Sequence, residues 1–539
     1  MTAFAGTLTL TRLALRRDRI QLPVWLVGLI AMAMATASSV TGLYDTAQER
    51  AAYARTNVTS VVSRVFNGAV TDPGIGAITM VETFGLLAVL TALMSTMAVV
   101  RHTRQNEETG RAEMVGAAVV GRYAGLTSAL IVAVGANVVL AVLFASALLA
   151  NDLPAEGSLA AGAALGAVGV AFAGIAAVTA QVSESARGAN GLAGSCVGLA
   201  YLFRAAGDGL AEPGPSGMAA ESAWPSWLSP IGWGQRIGPF HDDDWWILAV
   251  YAAFFAGLVA VAFVLTAHRD VGTGMMPVRS GPATASRGLL SSVGLAWRLQ
   301  RGVLIGWAAG MAVMGAAFGA VGHDAEEMLG GSDDLTDLIG RLGGGGSLID
   351  VYFSAMMGIL GTVIAGYTVQ ALLRMRAEET GPLESVLATA VSRPRWMSGH
   401  IACAVLGTVV LLLLTGLSTG LAYGIATGTM SDLPGLMAAA LVQAPATLAL
   451  AGFVIVMLGL LPRWSVALSW AGLTVCLVIK QIGPILELPQ AVMNISPFSH
   501  VPALPAGDVT VVPIVVLLSA AIALGALGLR AFRRRDLAY

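Results

Sequence analysis

Long apolar stretches and short polar ones alternate along the whole chain. Apolar stretches lie at about 22–43, 80–100, 123–150, 158–180, 189–203 and 245–267. The pattern then restarts, with a stretch around Trp307, one ending at Leu373, and others at about 401–427, 435–461, 464–479 and 509–529. A helix of about 20 apolar residues crosses a hydrocarbon core of about 30 Å. The pattern therefore predicts an all-α polytopic membrane protein with about twelve transmembrane helices.

Each set of six opens in the same way. Leu10, Leu13 and Leu15 alternate with Arg12, Arg16, Arg17 and Arg19 before Trp25, and Trp297-Arg298 to Arg301 precede Trp307. Such a segment suits an amphipathic helix on a bilayer face. Before the last span of each set lies apolar sequence broken by Pro and Gly, containing Trp227, Pro230 and Trp233 in one case and Pro484 and Pro497 in the other. Broken helix at membrane depth is tolerated where protein or a water-filled cavity covers it, so re-entrant segments are expected. The domains expected are a first six-span half at 1–270, a cytoplasmic linker at 271–296 and a second six-span half at 297–539. An even span count makes the halves a parallel repeat.

Composition agrees: 56% of residues are hydrophobic, 12% are charged, and the mean hydropathy is +0.76. Soluble domains carry about twice that charge. The net charge of −2 matters less than its distribution. With the N-terminus inside, most arginines fall on inner segments and most carboxylates on outer ones. Both termini are therefore expected in the cytoplasm, and the preference for Arg over Lys, with the Ala and Gly excess, suggests a bacterial chain in its plasma membrane. The basic segment 11–19 precedes an apolar run too long for a signal peptide, so no cleavable signal is expected. Cys196, Cys403 and Cys476 lie singly in apolar stretches, with no metal or disulfide spacing.

Lys480 is the only lysine, and Gln481 follows it. An ATP-binding P-loop needs Lys before Ser or Thr so that the amine reaches the phosphates. The chain is thus not expected to be an enzyme, and no cofactor, metal or nucleic acid is expected to bind it. Glu82, Asp350, Arg204 and Lys480 fall near span ends, which leaves the predicted spans nearly free of the ionisable groups that mark proton relays. A proton-coupled multidrug carrier is the first alternative, and a non-transporting sensor or assembly factor remodelled by an ATPase is the second.

A short charged element follows the second span of each half. Glu107-Glu108-Thr109-Gly110-Arg111-Ala112-Glu113 matches Glu378-Glu379-Thr380-Gly381-Pro382-Leu383-Glu384 at five of seven positions, with Arg122 and Arg393 downstream. Pro382 suits a helix's first turn and Glu384 its N-terminal field. Leu383, Val386, Leu387 and Ala390 form an apolar face, as do Ala112, Val115 and Val119. Each copy predicts a short surface helix able to receive a push from a separate ATPase. Both halves also end in Arg-Asp, at 269–270 and 535–536.

The Glu-Glu-x-Gly-x-x-Glu element, the amphipathic N-terminus and the broken segments resemble those of ABC-2 type export permeases. The resemblance is to the double-length actinobacterial exporters of polyketide antibiotics, tetronasin-type. It implies that two copies of a separate ABC ATPase bind ATP and Mg. It also assigns Glu107, Glu108, Arg111, Glu113, Arg122, Glu378, Glu379, Glu384 and Arg393 to the ATPase contacts. Spans one, two and five of each half would line a path for hydrophobic or amphipathic compounds within the lipid bilayer. Phe84, Met94, Met97, Phe353, Met356 and Met357 offer adaptable apolar surface there. Gly302, Gly306 and Gly310 are spaced for close helix contact.

Overall fold

The computed structural model describes residues 3–270, 272–275, 283–329, 347–379, 383–482 and 489–535. Pro484, the stretch 380–382, the glycine run 343–346 and linker residues 276–282 lie outside them. The chain divides into two compact units, Met1–Gly281 and Pro282–Tyr539. Helices dominate both, and the described strands form one two-residue hairpin, Glu212–Pro213 against Ala220–Glu221.

The first unit contains α1 (Thr7–Arg17), α2 (Gln21–Leu43), α3 (Ala47–Thr59), α4 (Val61–Phe66), α5 (Ile75–His102), α6 (Arg104–Glu108) and α7 (Arg111–Gly116). It continues with α8 (Ala124–Leu149), α9 (Ala155–Val182), α10 (Ala186–Gly209), α11 (Pro230–Arg236) and α12 (Ile247–His268). Helices α5 and α9 form its centre: 72% of each one's most apolar window is buried, against 22% for α2 and 17% for α12. Apolar side chains gain little by leaving lipid for protein, so close packing of small residues must hold the centre. A Cβ added at Gly166 of α9 would lie 2.9 Å from the Cβ of Ala141 and 3.0 Å from the Asn137 carbonyl on α8.

The second unit contains α13 (Ser292–Leu329), α14 (Leu348–Glu379), α15 (Leu383–Leu387), α16 (Arg393–Thr427), α17 (Leu433–Leu441), α18 (Ala444–Leu460), α19 (Ser465–Ile482), α20 (Gln490–Met493) and α21 (Val511–Arg534). Helix α14 is its buried centre, while α21 is mostly uncovered. Pro445 lacks an amide hydrogen and crowds the carbonyl four residues back. The span Leu433–Leu460 is accordingly split into α17 and α18, and buried Gln443 at the break packs on Gly361 of α14.

Ten helices among the described residues are long and apolar enough to cross a membrane. Two of the twelve expected spans miss that standard, for different reasons. Helix α10 has the length, but Arg187, Asn190, Arg204 and Asp208 make it too polar. Helix α19 is apolar but shorter, at Ser465–Gln481. The polarity of α10 serves a structural purpose at the end of the unit opposite α1. There fully buried Arg204 donates to Asp208 at 3.1 Å and to the Val65 and Phe66 carbonyls at 3.1 and 2.9 Å, fastening α4 to the span.

The broken segment before α12 is packed inside protein at α11, whereas Trp224, Trp227 and Leu228 ahead of it stay exposed. Ser229 caps α11 by accepting from the amides of Ile231 and Gly232, both at 3.1 Å, and Pro230 and Trp233 are buried. Trp233 donates to the Trp227 carbonyl at 2.7 Å and meets Tyr251 and Phe254 edge-on. Pro497 opens a short 3-10 turn that buries Phe498 completely. Gly302, Gly306 and Gly310 mark no close helix contact among the described residues of their unit, where a Cβ added at any of them meets nothing within 4 Å.

Candidate functional site

In the first unit the charged element follows α5 without a straight continuation. The backbone turns at Thr103, runs through α6, and turns again at Gly110, whose φ of +70° is a conformation glycine adopts without strain. Glu107 sits at the centre of an ion network. Arg104 donates to it at 2.7 Å from one side, and Arg269 grips both its oxygens at 2.6 and 2.8 Å from the end of α12. Such two-pronged, charge-assisted contacts are the strong class of hydrogen bond. Arg104 is fully buried, and its remaining hydrogens go to the carbonyls of Ala180 and Thr273, at 3.0 and 2.9 Å. Glu108 accepts from the amide of Ala186 at the start of α10, at 3.1 Å. Arg122 donates to the carbonyls of Thr266 and Arg269, at 3.1 and 3.0 Å.

The second unit repeats this arrangement with different numbering. Helix α14 runs unbroken to Glu379, which is bridged by Arg376 at 2.7 Å and by Arg535 just past α21. Arg393 donates to the Arg535 carbonyl at 2.9 Å. Sequence alignment pairs Glu107 with Glu378, yet it is Glu379 that holds the end of the last span. The break at Thr103, absent from α14, shifts the register by one. In both units, then, the charged element is tied to the foot of the last span through one carboxylate and one downstream arginine.

Each unit also buries a carboxylate against a histidine, from outside the charged element in the first unit and from within it in the second. Asp18, between α1 and α2, lies 2.5 Å from His102 and 3.1 Å from Arg101. Burial alone would raise the Asp18 pKa, but His102 and Arg101 hold it below the usual carboxylate range. Glu378 pairs with Arg374 and His400, both at 3.3 Å, and His400 is joined by Gln300 of α13 at 3.1 Å.

The residues named as ATPase contacts therefore fall into two groups. Glu107, Arg122, Glu378, Glu379 and Arg393 are engaged within their own unit. Arg111, Glu113 and Glu384 are exposed and make no ion pair among the described residues, while Glu108 is exposed but bonded to an amide. The helices α7 and α15 are short. Leu383 is buried, Val386, Leu387, Ala112 and Val115 are half-buried, and Val119 and Ala390 are exposed, off the expected apolar faces. Of the residues named for a substrate path, Phe84, Met94, Phe353 and Met357 are core, Met356 is half-buried and Met97 is exposed. Phe84 packs against Gly234 of α11, and Phe353 edge-on against Tyr352 and Tyr423. Sequence reasoning missed Asp18, His102, Arg104, Gln300 and His400. It registered Arg269 and Arg535 only as matching chain ends.

The fold is that of a polytopic, all-helical membrane protein whose units each carry a charged element braced on the last span. Residues 9–266 and 289–533 match the family described as multidrug efflux system permease Rv1217c, C-terminal domain. The chain is 39% identical over 539 residues to the multidrug efflux system permease protein Rv1217c of Mycobacterium tuberculosis (strain ATCC 25618 / H37Rv), covering 99% of this chain and 96% of that relative. The chain belongs to this family of efflux permeases.

Proposed function

We propose that the chain is the permease of an ATP-driven ABC exporter of the ABC-2, tetronasin-type class, and that it expels hydrophobic or amphipathic compounds, antibiotics and drugs among them. Two copies of a separate ATPase bind the cytoplasmic elements α6–α7 and α15 and hydrolyse ATP with Mg. The halves then alternate between inward and outward openings. The sequence supports an outside engine, since its one lysine is not followed by Ser or Thr. The relative's name supports drug efflux as the task.

One observation carries the reading. In each unit a carboxylate of the charged element is bridged to the arginine at the foot of the last span, Glu107 to Arg269 and Glu379 to Arg535. A load on a short surface helix therefore reaches a membrane span through a stiff, mostly buried ion pair. The exposed carboxylates Glu113 and Glu384 are the contacts free to meet a partner.

The test is the double variant Glu113→Arg/Glu384→Arg, which leaves every bridge within the units intact. ATPase recovery with the tagged chain should fall at least tenfold while the amount of inserted permease stays constant. Unchanged recovery together with unchanged drug resistance would refute the assignment.

A further inference from the structure

A cavity of about 710 Å³ lies in the first unit, between the amphipathic helix α1, the charged element, the start of α8 and the end of α12. It sits where spans end, and therefore at a bilayer surface. Its size is within the range of small-ligand sites, about 300–1,000 Å³. Leu10 and Leu13 of α1, Val115 of α7 and Leu126 of α8 form apolar walls. The charged lining is unbalanced. Arg17, Arg111, Arg122 and Arg269 meet a single carboxylate, Glu107, which Arg269 already occupies together with Arg104.

The other three guanidiniums have no carboxylate within ion-pair distance among the described residues. Arg17 donates to the Asn106 side chain at 2.7 Å, Arg122 donates to backbone carbonyls, and the exposed Arg111 side chain makes no hydrogen bond among the described residues. Burial, then the nearby charges of Arg111 and Arg101, lower the Arg17 pKa, and Asp18, whose carboxylate is already engaged by His102 and Arg101, opposes them only in part. Folding has placed three cations around an apolar hollow whose nearby carboxylates, Glu107 and Asp18, are already paired with other cations.

We infer that this cavity binds one anionic phospholipid, its phosphate between Arg17 and Arg111 and its acyl chains along Leu10, Leu13 and Leu126. Phosphate supplies the missing charge, and guanidinium matches it geometrically. The apolar walls distinguish a lipid from a free anion. The occupant would hold α1 against α7, making the position of the charged element depend on membrane composition. Zwitterionic lipid has the same apolar part but brings no net charge, so it fits less well.

Native mass spectrometry of the full-length, delipidated protein tests this with phosphatidylglycerol, phosphatidylethanolamine of matched chains, and inorganic phosphate. Wild type should retain one phosphatidylglycerol in preference to phosphatidylethanolamine. One arginine near a membrane surface contributes about 1 kcal/mol toward an anionic lipid. Arg111→Gln should therefore weaken retention about fivefold, and Arg17→Gln/Arg111→Gln about 25-fold. Leu13→Gln should weaken lipid retention while leaving inorganic phosphate binding unchanged. The melting temperature in lipid-free detergent monitors folding, and a variant melting like wild type is the one compared. Equal retention of the two lipids by wild type would overturn the proposal, as would undiminished phosphatidylglycerol binding by the folded double arginine variant. Inorganic phosphate displacing the lipid at equal concentration would mark an anion site instead.

Discussion

Arg269 and Glu107 are 162 positions apart, yet both guanidinium nitrogens of one reach both carboxylate oxygens of the other, at 2.6 and 2.8 Å. The pair joins the foot of the last span to the surface element after the second span. It is largely buried, and Arg104 shares the carboxylate.

Removing the carboxylate alone leaves two buried cations facing each other. Breaking a buried pair this way costs about 3 kcal/mol or more. Glu107→Gln should therefore lower the thermal midpoint of the detergent-solubilised protein, and adding Arg269→Gln should recover a large part of the loss. Additive losses in the double variant would show that the two residues are not coupled.

The packing of α9 on α8 offers a second comparison. A Cβ at Gly169 would collide with the Asn137 side chain and lie 2.8 Å from a methyl of Thr91. Gly169→Val should cost about 1–3 kcal/mol by overpacking. Gly306→Ala has open space around it and should be neutral or stabilise slightly through helix propensity. Thermal unfolding of the two variants side by side checks the assignment of which glycines are structural.

Asp18 connects stability to pH. Its folded pKa lies below the unfolded value of about 3.9, so its contribution is complete above that value. It is lost as pH falls through the folded pKa. Acid unfolding followed by tryptophan fluorescence should begin at higher pH in Asp18→Asn than in wild type, and the two proteins should converge at the acid end. The same acid profile for both would show that the contact with His102 and Arg101 contributes nothing.

Most helices were legible in the sequence because an apolar run of bilayer length permits little else. The two spans that fell short carry their reasons visibly: Arg204 and Asp208 in α10, and the short apolar run of α19. The split of one span at Pro445 also follows from a local rule. The site was legible only in part. Repetition exposed the charged elements and even the Arg-Asp chain ends, but no local pattern says that Arg269 closes on Glu107. The one-residue register difference between Glu107 and Glu379 comes from the turn at Thr103, which the matching letters conceal. Buried histidine pairs such as Asp18 with His102 left no periodic trace.

The central claim is that the permease is moved by ATP hydrolysed on another chain. The most direct measurement is uphill drug accumulation in vesicles holding the purified permease with or without a separate ABC ATPase. The account predicts accumulation only when the ATPase, Mg and ATP are all present, and its loss in Glu113→Arg/Glu384→Arg. Sustained accumulation by the permease alone, driven by a pH difference, would contradict it.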